Sequence, residues 1–127
     1  MSSTTTAIGK VGEEAAWELL AGLGYAILGR NVRIGNVEVD ILCRHDNRLV
    51  LIEVKTRMIG HYDDDFKIDS EKIRRLARAG ASYVKATGAP FDIQIDALLI
   101  TNYPHDERPP RLEHLPDIAL PPVRRRR

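Results

Sequence analysis

An α/β fold, with a central mixed β-sheet flanked by α-helices, is the expectation for this chain. Two apolar patterns repeat at helical spacing, one before residue 24 and one after residue 69. Between and beyond them lie short runs rich in Val, Ile and Leu, bounded by turn residues. The interleaved order, helix then strands then helix then strand, is that of helices packed on one sheet. A length of 127 residues suits one domain with one core, taken as 9–120 between a flexible start at 1–8 and a basic, disordered tail at 121–127.

The first helix is carried by Val11, Ala15, Ala16, Leu19, Leu20 and Leu23, with Gly24 as its stop. Tyr25 to Arg30 reads as a short strand, and Asn31 to Asn36 as a turn. In Val37 to Cys43 the alternation predicts Val37, Val39 and Ile41 on one face, Glu38 and Asp40 on the other. His45, Asp46 and Asn47 make a polar turn into the strand Arg48 to Lys55, which together form a hairpin. Residues 58–68 read as a loop with acids at Asp63 to Asp65. Asp69 or Ser70 caps the second helix, whose apolar set includes Ile73, Leu76, Ala77, Tyr83 and Val84. Its exposed face is expected to carry Lys72, Arg74, Arg75 and Arg78, a candidate surface for nucleic-acid phosphates. Gly88 and Pro90 end it, Phe91 to Ile100 is a strand, and Arg111 to Leu115 adds a short edge strand.

Composition narrows the functional classes. Hydrophobic residues at 43% and charged residues at 29% describe a soluble globular chain. No apolar run is long enough to span a bilayer, and the Ser/Thr-rich start lacks the pattern of a signal peptide. Cys43 is the single cysteine, so no internal disulfide forms and the cytoplasm is the expected compartment. The formal net charge is +1, but Arg124 to Arg127 carry four positive charges, leaving −3 for residues 1–123. A body of that sign meets a polyanion only through local basic patches or a bound cation.

The residues that point to chemistry lie on the hairpin. Glu53 and Lys55, two apart on a strand, share a face, and Asp40 on the preceding strand is expected to approach Glu53 across the ladder. Two hard oxygen ligands beside an ammonium suit Mg²⁺, with Mn²⁺ as a substitute, and the Val54 backbone carbonyl is a further candidate ligand. Such an ion polarises a phosphate and activates water, while Lys55 orients that water or stabilises the developing charge. Glu13, at the start of the first helix, is placed to complete the acidic site. Taken alone, Glu-x-Lys on a strand is more commonly the pattern of a solvated face with a cross-strand ion pair. Here the surrounding Leu49 to Ile52 and Val54 are apolar, and unpaired charge in a buried strand is costly. The four histidines lack companions at metal-ligand spacing, Cys43 lacks a base, and Trp17 reads as a packing residue of an amphipathic helix.

The segment Gly9-x-x-Gly12-Glu13-x-x-Ala16, with Leu20, Gly24-Tyr25-x-Ile27 and Arg30-Asn31-x-Arg33, resembles the small YraN-like proteins of bacteria. The likeness runs on through Glu38-x-Asp40 and Leu49-Val50-x-x-Glu53-Val54-Lys55-x-Arg57. It returns at Lys72, Arg75-Leu76, Ile95-Asp96 and His114-Leu115-Pro116. The resemblance implies a restriction-endonuclease-like fold of the PD-(D/E)xK superfamily, close to archaeal Holliday junction resolvases, which are Mg²⁺-dependent and dimeric. By it, Asp40, Glu53 and Lys55 match the superfamily's catalytic triad and Glu13 the acidic residue of the first helix. Glu38 belongs to a Gly-Glu-Ile-Asp pattern behind the site. The chain departs from the family pattern at Val37, Val39 and Gln94, and in an acidic rather than Gly-rich loop at 58–66.

The expected function is therefore metal-dependent endonucleolytic hydrolysis of phosphodiester bonds, on DNA ahead of RNA, with branched or junction DNA as the implied substrate and a homodimer as the implied assembly. The alternative is a non-catalytic nucleic-acid-binding module on the same frame, contacting phosphates through Lys72, Arg74, Arg75, Arg78 and the arginine tail.

Overall fold

The computed structural model describes residues 3–59 and 69–118, with side chains from Lys10 onward. The chain folds as a mixed α/β protein, with seven elements among the described residues: α1 (Ser3–Gly22), β1 (Ala26–Ile34), β2 (Val37–His45), β3 (Arg48–Met58), α2 (Ser70–Thr87), β4 (Asp92–Asn102) and β5 (Arg111–Leu115). The strands form one five-stranded sheet in the order β1-β2-β3-β4-β5. β1, β2 and β3 make an antiparallel meander; β4 joins β3 in parallel, and β5 returns antiparallel on β4. Parallel pairing of consecutive strands requires a crossover, and α2 supplies it. The helix order and sheet type match the sequence expectation, while α1 begins ahead of residue 9 and β1 runs four residues further, to Ile34. The tail at 121–127 and the acids Asp63 to Asp65 lie outside the described residues. No helix among the described residues is long and apolar enough to cross a membrane.

The sheet carries a core on each face. Ala16 and Leu20 of α1 pack on Ile41, Cys43, Val50, Ile52, Leu98 and Ile100. Ile73, Leu76 and Ala79 of α2 pack on Val39, Leu42, Leu49, Leu51 and Ile95 on the opposite face. β3 and β4 are buried on both faces, as the near-continuous apolar runs of parallel strands require. Each helix approaches through a glycine. A Cβ on Gly12 would lie 2.9 Å from Ile100 Cγ2 and 3.2 Å from Asn102 Oδ1; one on Gly80 would lie 3.0 Å from both Ile93 Cγ2 and Leu51 Cδ1. α2 opens on Asp69, whose carboxylate accepts from the Glu71 N–H, and closes on Gly88 with φ 73°. Of the apolar set of α1, Val11 and Leu23 are exposed, so its contact with the sheet is narrower than the sequence pattern implies.

One strand departs from simple alternation. Val37 and Val39 pack with the α2 core, whereas Ile41 and Cys43 pack with the α1 core, so Val39 and Ile41 do not share a face as expected. The change falls at Asp40. Register pairs Arg30 with Ile41 and Val32 with Val39, which sets Asn31 opposite Asp40, and Asn31 has φ 52°. A left-handed residue turns its strand over, and asparagine tolerates that conformation better than most side chains. β1 and β2 therefore change facing together at this level.

Candidate active site

The same position is where the sheet opens. The β2–β3 ladder runs from His45–Arg48 to Ile41–Ile52 and stops there. One step further in that register Asp40 would face Glu53, but in place of a ladder bond the Asp40 Oδ2 accepts from the Val54 N–H at 2.8 Å. The carboxylate thus bridges a fork between two diverging strands. In an extended residue the N–H and C=O point to the same side, so the Val54 carbonyl also faces this fork.

The remaining residues approach from both sides of the sheet. Glu53 and Lys55 project toward α2, with Lys55 Nζ 3.7 Å from Glu53 Oε2. Lys72 does not join the exposed arginines of α2 as expected: its ammonium turns to the sheet and lies 3.6 Å from Glu53 Oε1. Position 72 precedes Ile73 on the buried side of the helix, and the long stem lets the charge reach inward. That Oε1 atom is buried and has no hydrogen bond. On the α1 side a cavity of about 210 Å³ opens, lined by Glu13, Trp17, Arg30, Asn31, Asp40, Val54 and Thr56, with Ala16, Ile41 and Ile100 at its base. Asp40 therefore comes to the fork from the α1 side and Glu53 from the α2 side. The expectation that Asp40, Glu53 and Lys55 lie on one sheet face gives way to a split arrangement, because β2 turns over at Asp40.

No group of three or more His, Cys, Asp or Glu side chains placed to hold a metal occurs among the described residues. The fork instead offers two carboxylates and one backbone carbonyl. That set fits a Mg²⁺-type ion, which binds through one or two carboxylates and keeps several waters. The hydrogen-bond-free Glu53 Oε1, with the Lys72 ammonium at 3.6 Å, is the acceptor such an ion would satisfy. Glu13 is exposed on the cavity rim, in the same cavity as Asp40. Glu38 lies away from it, exposed, with Arg33 at 4.0 Å. Arg74 and Arg75 both turn to Glu71, at 3.2 and 3.9 Å, and Arg78 is exposed on the same helix.

A buried polar network stands behind the fork. Asp96, with no exposed surface, accepts from Tyr25 Oη at 3.0 Å, Gln94 Nε2 at 2.9 Å and the Asp117 N–H at 2.9 Å; His114 Nε2 lies 2.7 Å from its Oδ2. The Tyr25 ring stacks on His45 at 4.5 Å and meets His114 edge-on. Burial, then the neighbouring Asp96, pushes the Tyr25 hydroxyl up to about 12 and the Cys43 thiol up to about 12. Cys43 is buried, in line with a packing role. The network ties β5 and the turn after α1 to β4, and so fixes the strand next to β3. Its sequence signal is the pair Gln94 and Asp96, polar at alternate positions of an otherwise apolar strand.

A forked, five-stranded mixed sheet with acids and lysines at the opening defines a small α/β protein with a candidate site at the fork. The chain belongs to the uncharacterised protein family UPF0102, whose model matches residues 12–100. It is 37% identical over 114 residues to a UPF0102 protein of Leifsonia xyli, covering 88% of this chain and 95% of the relative. A UPF0102 protein of Phocaeicola vulgatus is 31% identical over 118 residues, covering 91% and 93%. One of Symbiobacterium thermophilum is 39% identical over 83 residues, covering 65% and 70%. The likeness to YraN-like proteins thus stands as family membership.

Proposed function

We propose that this protein is a metal-dependent endonuclease of the PD-(D/E)xK superfamily, with a restriction-endonuclease-like frame, that hydrolyses phosphodiester bonds in DNA, branched structures in particular. The observation that carries this reading is the fork, where Asp40 leaves the ladder opposite Glu53 and binds the amide of Val54, with Lys55 adjacent. Asp40, Glu53 and the Val54 carbonyl would hold Mg²⁺ or Mn²⁺. When bound, that ion supplies a Lewis acid for a phosphoryl oxygen and lowers the pKa of a water. The Val54 N–H holds Asp40 in one orientation. Lys55 carries positive charge to the reacting oxygens, where a preorganised donor acts most strongly. Glu13 supports the acidic side of the cavity. A homodimer would offer two symmetric sites to a junction.

A second reading, a nucleic-acid-binding module without catalysis, is favoured by the two ammonium groups that already balance Glu53. Incubation with single strands, duplexes, flaps and four-way junctions in Mg²⁺ and Mn²⁺ separates the two. Cleavage is expected, reduced by about 10²-fold or more in Glu53→Gln and Asp40→Asn. Intact substrates across the whole panel, with binding retained, would leave the binding module as the function.

A further inference from the structure

The cavity on the α1 side holds an arginine that the proposed hydrolysis does not use. The Arg30 guanidinium lies over the Trp17 ring at 3.6 Å from its centroid. Glu13 and Asp40 line the same cavity, yet Arg30 makes no ion pair with any described residue. Among the described residues, its charge is therefore not spent on a carboxylate. Stacking occupies the face of the guanidinium plane and leaves its in-plane N–H donors open, a fork that matches phosphate oxygens.

Its placement is a consequence of the strand geometry. Asn31, with φ 52°, turns β1 over, so that Val32 packs with the α2 core while Arg30 stays with Trp17 on the α1 side. Register pairs Arg30 with Ile41, the residue after Asp40. A cation unpaired among the described residues, at the rim of an acidic cavity and one residue from the fork, is what a polyanion entering that cavity would meet first.

We infer that Arg30, braced on Trp17, is a phosphate clamp that takes a backbone phosphate of a nucleic-acid strand, next to the phosphate presented at the fork. The inference rests on the nucleic-acid reading of the site but not on cleavage. Arg30 contacts the strand, and Trp17 is a positioning residue that holds its plane.

Trp17 is the chain's only tryptophan, so its fluorescence reports on this contact directly. The full chain is titrated with a single-stranded oligonucleotide in EDTA at low salt, where no strand is cut, and with inorganic phosphate in parallel. A saturable change in Trp17 emission is expected with the oligonucleotide, and with inorganic phosphate only at far higher concentration. Arg30→Leu is expected to weaken binding roughly tenfold and to reduce the slope of log affinity against log salt by about 0.7. Arg30→Lys keeps the slope and loses several-fold in affinity, since an ammonium lacks the planar fork. Should Arg30→Leu fail to fold by circular dichroism, the Arg30→Lys comparison decides. Unchanged affinity and slope in Arg30→Leu, or no emission change in the wild type, would overturn the clamp. Inorganic phosphate saturating as readily as the oligonucleotide would overturn the nucleic-acid assignment. In a separate cleavage assay with Mg²⁺, a protein that binds in this way and does not cut retains the clamp and loses the nuclease. One that cuts with an unaltered KM in Arg30→Leu retains the nuclease and loses the clamp.

Discussion

Glu53 meets two ammonium groups, and one of its oxygens is shut away from water without a hydrogen bond. Lys72 is then a competitor for whatever cation Glu53 binds. Lys72→Met should raise affinity for Mn²⁺ by several-fold up to about tenfold, since a partly exposed ion pair is worth on the order of 1 kcal/mol. Isothermal titration calorimetry on the metal-free protein measures this, and unchanged or weaker binding would mean that Lys72 does not compete. The two raised acids make a separate prediction. Cys43 moves from an ordinary 9.0, and Tyr25 from 10.0, each up to about 12. The folded state holds these protons more tightly than the unfolded chain, so the associated stability is intact below about pH 9 and falls as pH rises toward 12. Urea midpoints between pH 8 and 11.5 should decline along that course, and Cys43→Ala should flatten the early part. A Cys43→Ala profile identical to wild type would remove Cys43 from the account.

At the scale of elements, the helices sit close because glycine faces the sheet. Gly12→Ala gains helix propensity of up to about 1 kcal/mol, but its methyl meets a β-branched Ile100 on β4 at 2.9 Å. Overpacking of that kind costs about 1–3 kcal/mol, so net destabilisation is expected, read as a lower urea midpoint. Asp69→Ala removes the cap of α2 and should cost about 1 kcal/mol in the same measurement. These local devices were legible. Asp69 and Gly88 are ordinary cap residues, and the β3 and β4 runs are apolar enough to read as buried strands. The turning-over of β1 and β2 was not, because Val37 to Ile41 alternates without a break across the very position where the facing changes; the cause is Asn31, on the neighbouring strand. Lys72 escapes the helical pattern for a related reason. Helical spacing places its Cα beside a charged face, while a four-carbon stem decides where its ammonium goes. The partners of Asp96 are likewise spread over Tyr25, Gln94 and His114, which only the sheet order assembles.

For the molecule as a whole, residues 1–123 carry a net −3, so a nucleic acid is repelled by the body and attracted at few places. Binding to a four-way junction should accordingly tighten with Mg²⁺ well beyond the effect of equal ionic strength in Na⁺, and Glu53→Gln should blunt that gain. Electrophoretic mobility or fluorescence anisotropy at matched ionic strength tests it; equal affinities in the two salts would place the polyanion away from the fork. The amide at the fork offers a way to watch the site without any substrate. Because the Val54 N–H donates to Asp40 rather than to a strand, its ¹H–¹⁵N signal senses the charge state of that carboxylate. Val54 thereby becomes a built-in spectroscopic probe, whose peak would move when a cation draws on Asp40, even in a protein that cuts nothing.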